Sequence, residues 1–424
     1  MTTIGQHIRA AREARRCSQQ SLADELSMAR WGKTAFCDRQ QVYRWEKGLR
    51  VPREWLPFIE RVLNIDLSED NEGKATHEED DDMRRRTLFT GAATIGAALA
   101  LPRPAAARES EPYDAAPDIE RLLFTPPAPQ RASLVTLQHS LAAARAHFTA
   151  ATYRELGATL PDLVATAEAL RGSSTGRERE LADTAAARSY VLATELAAKA
   201  HSDLAWASAD RALQAAQSSG DPAVVGEAVR VLAITMRRAG RPAAAVDLLR
   251  RTATDLDSRP GPAARAVAAT LWMTAAYTAA CNKDASSAHD LMTGAAEAVD
   301  RLPADLPPQQ LYTVDATPAQ VDLYRIGIHT ALGNPDHAVR YATRITPAAL
   351  PTAERRARLG TDTARMWQAI GDGPRTLAAL RFVERVAPEE VRRPALRTMV
   401  TALVFAPMPT PGAREFARRI GIAG

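Results

Sequence analysis

Gly333-Asn334-Pro335-Asp336-His337-Ala338 is one of five short passages built on a shared plan. The others are Ser202-Asp203-Leu204-Ala205-Trp206-Ala207, Gly240-Arg241-Pro242-Ala243-Ala244-Ala245, Lys283-Asp284-Ala285-Ser286-Ser287-Ala288 and Gly371-Asp372-Gly373-Pro374-Arg375-Thr376. Each follows one apolar, alanine-rich stretch of helical character and opens another, with a small residue five positions in. Those small residues, at 207, 245, 288, 338 and 376, are spaced by 38, 43, 50 and 38. A turn followed by a small side chain lets two helices approach closely, and repetition of that unit makes a solenoid. The widest interval holds Leu302-Pro303, Pro307-Pro308 and Pro318, read as an insertion between repeats. The expected fold class is all-α: a small N-terminal helical bundle followed by an α-solenoid over 132–424.

Composition agrees. The chain has 424 residues, enough for more than one core, and only 8 Phe, 8 Tyr and 6 Trp. Alanine dominates from about Ala92 onward, and β-branched runs are short, which suits helices packed through small residues rather than sheets. Three cysteines, Cys17, Cys37 and Cys281, lie far apart. That sparse, odd count argues against a disulfide framework and for a reducing compartment.

The N-terminal 66 residues read differently. Ile4, Ile8 and Ala11 recur at helical spacing. Ser18 caps a second helix carrying Leu22, Ala23 and Leu26, and Asp38 caps a third carrying Val42 and Trp45, ended by Gly48. Trp55, Phe58, Ile59, Val62, Leu63 and Ile65 supply the rest of a small core. The third helix shows Arg and Gln on one face, the side chains that make paired hydrogen bonds to guanine and adenine edges in the major groove. Met1–Asp66 carries 12 basic against 8 acidic residues, whereas Leu67–Asp82 carries one basic against 8 acidic. A basic head with an acidic strap suits a module that meets phosphates.

Residues 4–65 resemble the Cro/C1-type (Xre) helix-turn-helix domain through Arg12, Gln19, Leu22-Ala23, Val42, Trp45-Glu46, Gly48 and Pro52. The resemblance implies that the third helix enters the major groove. It makes Arg39, Gln40, Gln41 and Arg44 the candidates for base contact, and Gln19 a phosphate contact that buttresses the first reader. It also implies a structural pair between Glu46 and Arg12. The stretch Ser27–Cys37 is longer than the prototype's turn and is read as a surface loop, from which Arg30 and Lys33 are candidates for flanking phosphates. Lys47 is a further phosphate candidate.

The segment 132–424 resembles the tetratricopeptide-repeat family, although its period exceeds that family's usual length of about 34 residues. Such repeats cradle a peptide or partner helix in a concave groove. The expected lining lies on the first helix of each pair: Arg230, Arg237, Tyr277, Tyr324 and Arg325, with Trp272 and Trp367 read as core between repeats.

Between the two lie 67–82, an acidic strap expected to be disordered; 83–107, with Arg84-Arg85-Arg86 before an apolar run; and 108–131, rich in Pro and read as an extended linker. The 83–107 segment looks like a twin-arginine export signal, yet follows a complete domain. Its apolar run falls short of the roughly 20 residues a bilayer span requires. A linker helix, a membrane-associated or exported segment through 84–101, and a translation start at Met83 are its three readings. No phosphate-binding glycine loop, HExxH or GxSxG occurs, and the histidines show no ligand spacing, so no enzyme, metal or cofactor is expected.

The two resemblances together imply a cytoplasmic, actinobacterial transcriptional regulator. It would bind a double-stranded DNA operator as a homodimer, because one such head buries little surface. Its repeats would sense a peptide, small molecule or protein effector. A membrane-associated repeat scaffold, with DNA binding secondary, is the alternative.

Overall fold

The computed structural model describes residues 4–31, 39–47, 52, 55–65, 113–129, 132–303, 312, 315–406, 408 and 410–422. The acidic strap, the 83–107 segment, Lys33, Cys37, Asp38 and Gly48 lie outside these residues, as do the side chains of Arg30, Trp31, Gln40 and Arg44. The chain divides into two compact units, Met1–Pro102 and Arg103–Gly424, and the only regular structure among the described residues is helical, without a strand.

The first unit holds α1 (Ile4–Ala14), α2 (Gln19–Trp31), α3 (Arg39–Glu46) and α4 (Leu56–Leu63). Ser18 caps α2 by accepting the Ser21 N–H at 3.0 Å. Ile8, Leu22, Ala23, Leu26, Val42, Trp45, Ile59 and Leu63 form the core, so every helix contributes to it. α1 crosses α3 closely enough that Gly5 is the only residue type that fits: a Cβ there would stand 2.2 Å from the Trp45 carbonyl oxygen. The lengthened turn begins later than the sequence suggested. α2 runs on to Trp31 because Leu26 and Ser27 are both buried and carry the helix one turn further.

The second unit begins before residue 132. Ala116–Phe124, read above as linker, is helix α5, and its Ile119, Leu122 and Leu123 are buried in the core. Proline density misled the reading: Pro117 stands in the first turn, where its missing N–H is no loss. After it come α6 (Leu134–Ala150), α7 (Tyr153–Ser173), α8 (Gly176–Ala200), α9 (Ala205–Ser219), α10 (Pro222–Arg238), α11 (Pro242–Asp257), α12 (Pro262–Cys281), α13 (Ala285–Asp300), α14 (Pro318–Leu332), α15 (Pro335–Ala342), α16 (Ala353–Ile370), α17 (Gly373–Val386), α18 (Pro394–Val404) and α19 (Ala413–Arg419). Successive helices pack on one another as hairpins.

The five quoted passages are hairpin turns, and they share one geometry. His201, Gly240, Lys283, Gly333 and Gly371 stand in the left-handed region, with φ of 61, 75, 63, 89 and 91°. The next residue then donates its N–H back across the turn to a carbonyl of the finished helix. These bonds are Ser202 to Ala197, Arg241 to Met236, Asp284 to Ala279, Asn334 to His329 and Asp372 to Trp367, all 2.9–3.0 Å. Four of the five small residues, Ala245, Ala288, Ala338 and Thr376, are fully buried where the helices meet. In the first repeat Ala207 is only half-buried, and its neighbour Ser208 takes the buried position.

The hairpin row returns on itself. α16 packs on α6, and Ala357, Ala364, Leu377 and Leu380 belong to the same core as Leu137, Leu141 and Phe148. Glu389 accepts the Arg154 N–H at 3.0 Å, and Lys199 on α8 donates to Glu354 on α16 at 2.7 Å. The first helices of the hairpins therefore face a common interior. Among the described residues no helix is long and apolar enough to cross a membrane.

Candidate functional site

Two places gather side chains that the core does not explain. The first is α3. Val42 and Trp45 bury one side of it, which leaves Arg39, Tyr43 and Lys47 exposed at intervals of four residues along the other. Lys47 Nζ lies 5.9 Å from the centre of the Tyr43 ring. Gln41 is half-buried on the flank. The candidate readers are thus split: Arg39 is exposed at the start of α3, while the side chains of Gln40 and Arg44 lie outside the described residues. Tyr43, 46 % exposed, was passed over by the sequence reading, although its position four after Arg39 marks it as a neighbour on the same edge.

The end of α3 is fixed by a polar clamp. Glu46 is buried and accepts from the Arg12 guanidinium through both oxygens, the Nη2 contact being 3.2 Å. Arg12 also donates to the Cys17 carbonyl at 2.9 Å. Gln19 Nε2 donates to Glu46 at 2.7 Å, so one of its amide hydrogens is committed inside the unit. α1, the start of α2 and the end of α3 are thereby tied at one carboxylate. A two-pronged arginine–carboxylate contact fixes orientation as well as distance.

The second place is the interior of the repeat unit, a cavity of about 300 Å³. Its walls come from the first helices of successive hairpins: Glu195 and Lys199 on α8, Arg230, Arg237 and Arg238 on α10, Thr274 and Tyr277 on α12, Gln320 and Tyr324 on α14, and Arg355, Arg358 and Arg365 on α16. Of the expected groove residues, Arg230, Arg237, Tyr277 and Tyr324 line this cavity. Arg325 does not; it pairs with Asp322 at 2.9 Å and lies over the Tyr341 ring. Trp272 and Trp367 pack against the hydrophobic clusters between hairpins.

The chain finds no match among known protein families, curated proteins or solved structures. The cavity's chemistry is consequently read from its own side chains. Tyr277 meets Tyr324 edge to face with centroids 6.4 Å apart, and the guanidinium groups of Arg237 and Arg358 flank Tyr277 at 4.9 and 5.7 Å. Burial opposes ionisation of Glu354, but Arg355 and Lys199 outweigh it and hold the carboxylate well below its ordinary range. Glu390 behaves alike: burial opposes its charge, and Arg393 and Lys199 prevail. Burial, then the positive charge of Arg237 and Arg393, lowers the pKa of Arg238. Burial and the nearby Arg238, Arg393 and Arg365 lower that of His201. Arg355 and Arg358, beside Glu354 and Asp362, are instead held above their ordinary value despite burial, so the reluctant cations are the ones without a carboxylate at hand.

Sequence reading missed Arg355, Arg358, Asp362 and Arg365. Their spacing of three, four and three was the available signal, since it puts all four on one helical face. Gln320 and Lys199 carry no such mark. Among the described residues no group of three or more His, Cys, Asp and Glu could hold a metal ion.

Proposed function

We propose that the chain is a sequence-specific DNA-binding transcriptional regulator, with a helix-turn-helix head and a repeat unit that senses an effector. The supporting observation is the presentation of α3. Its apolar side is consumed by the core, its end is clamped through Glu46 to Arg12 and Gln19, and Arg39, Tyr43 and Lys47 stand exposed along one edge. Arg39, Gln40, Gln41 and Arg44 are the proposed readers. Lys47, Arg30, Lys33 and Gln19 are proposed for the phosphates, which position a protein without reading sequence.

Dimeric binding to two half-sites follows from the small surface one head can bury. The effector acts by binding one arrangement of the regulator better than another, and its influence is bounded by that difference in affinity. A cytoplasmic location fits unpaired Cys17 and Cys281 and a DNA partner.

A gel-shift titration of the full chain, on DNA from its own upstream region and on random duplex, tests this reading. Specific binding should survive a rise in salt that abolishes the random complex. Identical salt-dependent curves for both DNAs would contradict it.

A further inference from the structure

We propose that the cavity inside the repeat unit is a receptor site for a small phosphate-bearing ligand, either free phosphate or a phosphate monoester. The charge count points there. Eight cationic side chains line the cavity against three carboxylates, and Glu390 behind Lys199 and Arg393 makes a fourth. The pairing is uneven. Lys199, Arg355, Arg358, Arg365 and Arg393 share Glu354, Asp362 and Glu390, and Arg230 has Glu195. Among the described residues Arg237 and Arg238 pair with no carboxylate. Arg237 donates to Thr278 Oγ1 at 3.0 Å and Arg238 to the Ala198 carbonyl, so each guanidinium keeps further donors.

A second observation is independent of charge. Gln320, only 1 % exposed, lines the same cavity, and neither its amide nitrogen nor its amide oxygen has a hydrogen-bond partner. Buried amides are nearly always satisfied, so an orphan facing a cavity marks the place of a missing polar partner. Gln320 can donate to a phosphate oxygen and accept from a hydroxyl of an ester. A phosphate monoester brings close to two negative charges and three acceptor oxygens, which answers paired guanidinium forks better than one carboxylate does. The volume of about 300 Å³ sits at the small end of ligand sites and suits a compact molecule rather than an extended peptide. The regulatory meaning of such binding rests on the sensing role proposed above; the binding itself requires nothing from the first unit.

The test is calorimetric titration of the full chain in chloride buffer with four probes: inorganic phosphate, ribose 5-phosphate, ribose, and pentaalanine with a free carboxyl terminus. The expected result is one saturable phosphate site per chain, for which ribose 5-phosphate competes, with no binding of ribose or pentaalanine. Arg237→Gln or Arg238→Gln should each weaken phosphate about tenfold or more, as loss of a charged hydrogen bond does. Arg177→Gln, at an exposed position on α8, should not. Competition by the ester identifies a monoester site, and exclusion of the ester identifies a free-phosphate site. The proposal is overturned if inorganic phosphate shows no saturable binding, if binding is indifferent to both cavity variants, or if pentaalanine alone occupies the site. These outcomes are separable from the DNA reading, because the unliganded chain's gel shift is measured without any probe.

Discussion

Glu354→Gln tests the interior most sharply, because it changes charge and almost nothing else. Glu354 is buried, accepts from Lys199 at 2.7 Å and pairs with Arg355. In the variant Lys199 keeps Glu390 at 3.3 Å, while Arg355 loses its carboxylate. Removing one member of a buried ion pair typically costs about 3–5 kcal/mol, and the retained Glu390 puts this case near 3 kcal/mol. For a unit of this size that is a fall in melting temperature of roughly 4–5 °C. The pH dependence carries the sign. The folded carboxylate sits below its ordinary value of 4.5, so its contribution is complete above that value and is lost as pH falls toward the folded pKa. Scanning calorimetry of the full chain at pH 7 and pH 3.5 should therefore show a large gap between wild type and variant that narrows in acid. A gap below about 0.5 kcal/mol at pH 7 would refute the reasoning, since exposed pairs contribute only that much. So would a gap that widens in acid.

Three further outcomes are expected, the first two from local geometry and the third from the role proposed for α3. Gly5→Ala drives a Cβ into the Trp45 carbonyl and should destabilise the first unit by about 2–3 kcal/mol, leaving the second transition in calorimetry unmoved. His329 is held at about pH 4 by burial and by His289, Arg340, His337 and Arg325; the unfolded chain, titrating near 6.5, takes up the proton first. Stability should thus decline as pH falls from 6.5 toward 4, and His329→Phe, which keeps the stack on Tyr341, should flatten that decline in urea titrations. Arg44→Ala should cost about 1–3 kcal/mol at one base step, whereas Lys47→Ala should weaken specific and random duplexes alike and reduce the salt slope by about one.

The hairpin turns were legible because their residues advertise the geometry. Gly240, Gly333 and Gly371 supply the left-handed residue, and Pro242, Pro335 and Pro374 follow in the next helix's first turn. A sixth turn of the same kind, between α6 and α7, went unread. There Ala151 takes φ 60° and Thr152 donates back to His147, and no glycine or proline marks the place. α5 was hidden by its prolines, since composition alone does not separate a proline in a first turn from one in an extended linker. The core of the first unit was readable from periodicity: Ile8, Leu22, Leu26, Val42, Trp45 and Ile59 are all buried. The positive interior was only partly so. Arg230, Arg237, Tyr277 and Tyr324 could be placed on first helices, but the partners that decide their charge balance lie far away in sequence. Lys199 meets Glu354 and Glu390 across 155 and 191 residues, a closure no local pattern records.

The role assigned to α3 is tested most directly by offering the intact protein a pool of randomised duplex and sequencing what it retains. Recovery of a single enriched motif, lost on substituting Arg39 and Arg44, is the expected result. Retention of DNA without any enrichment, or of none, would contradict it.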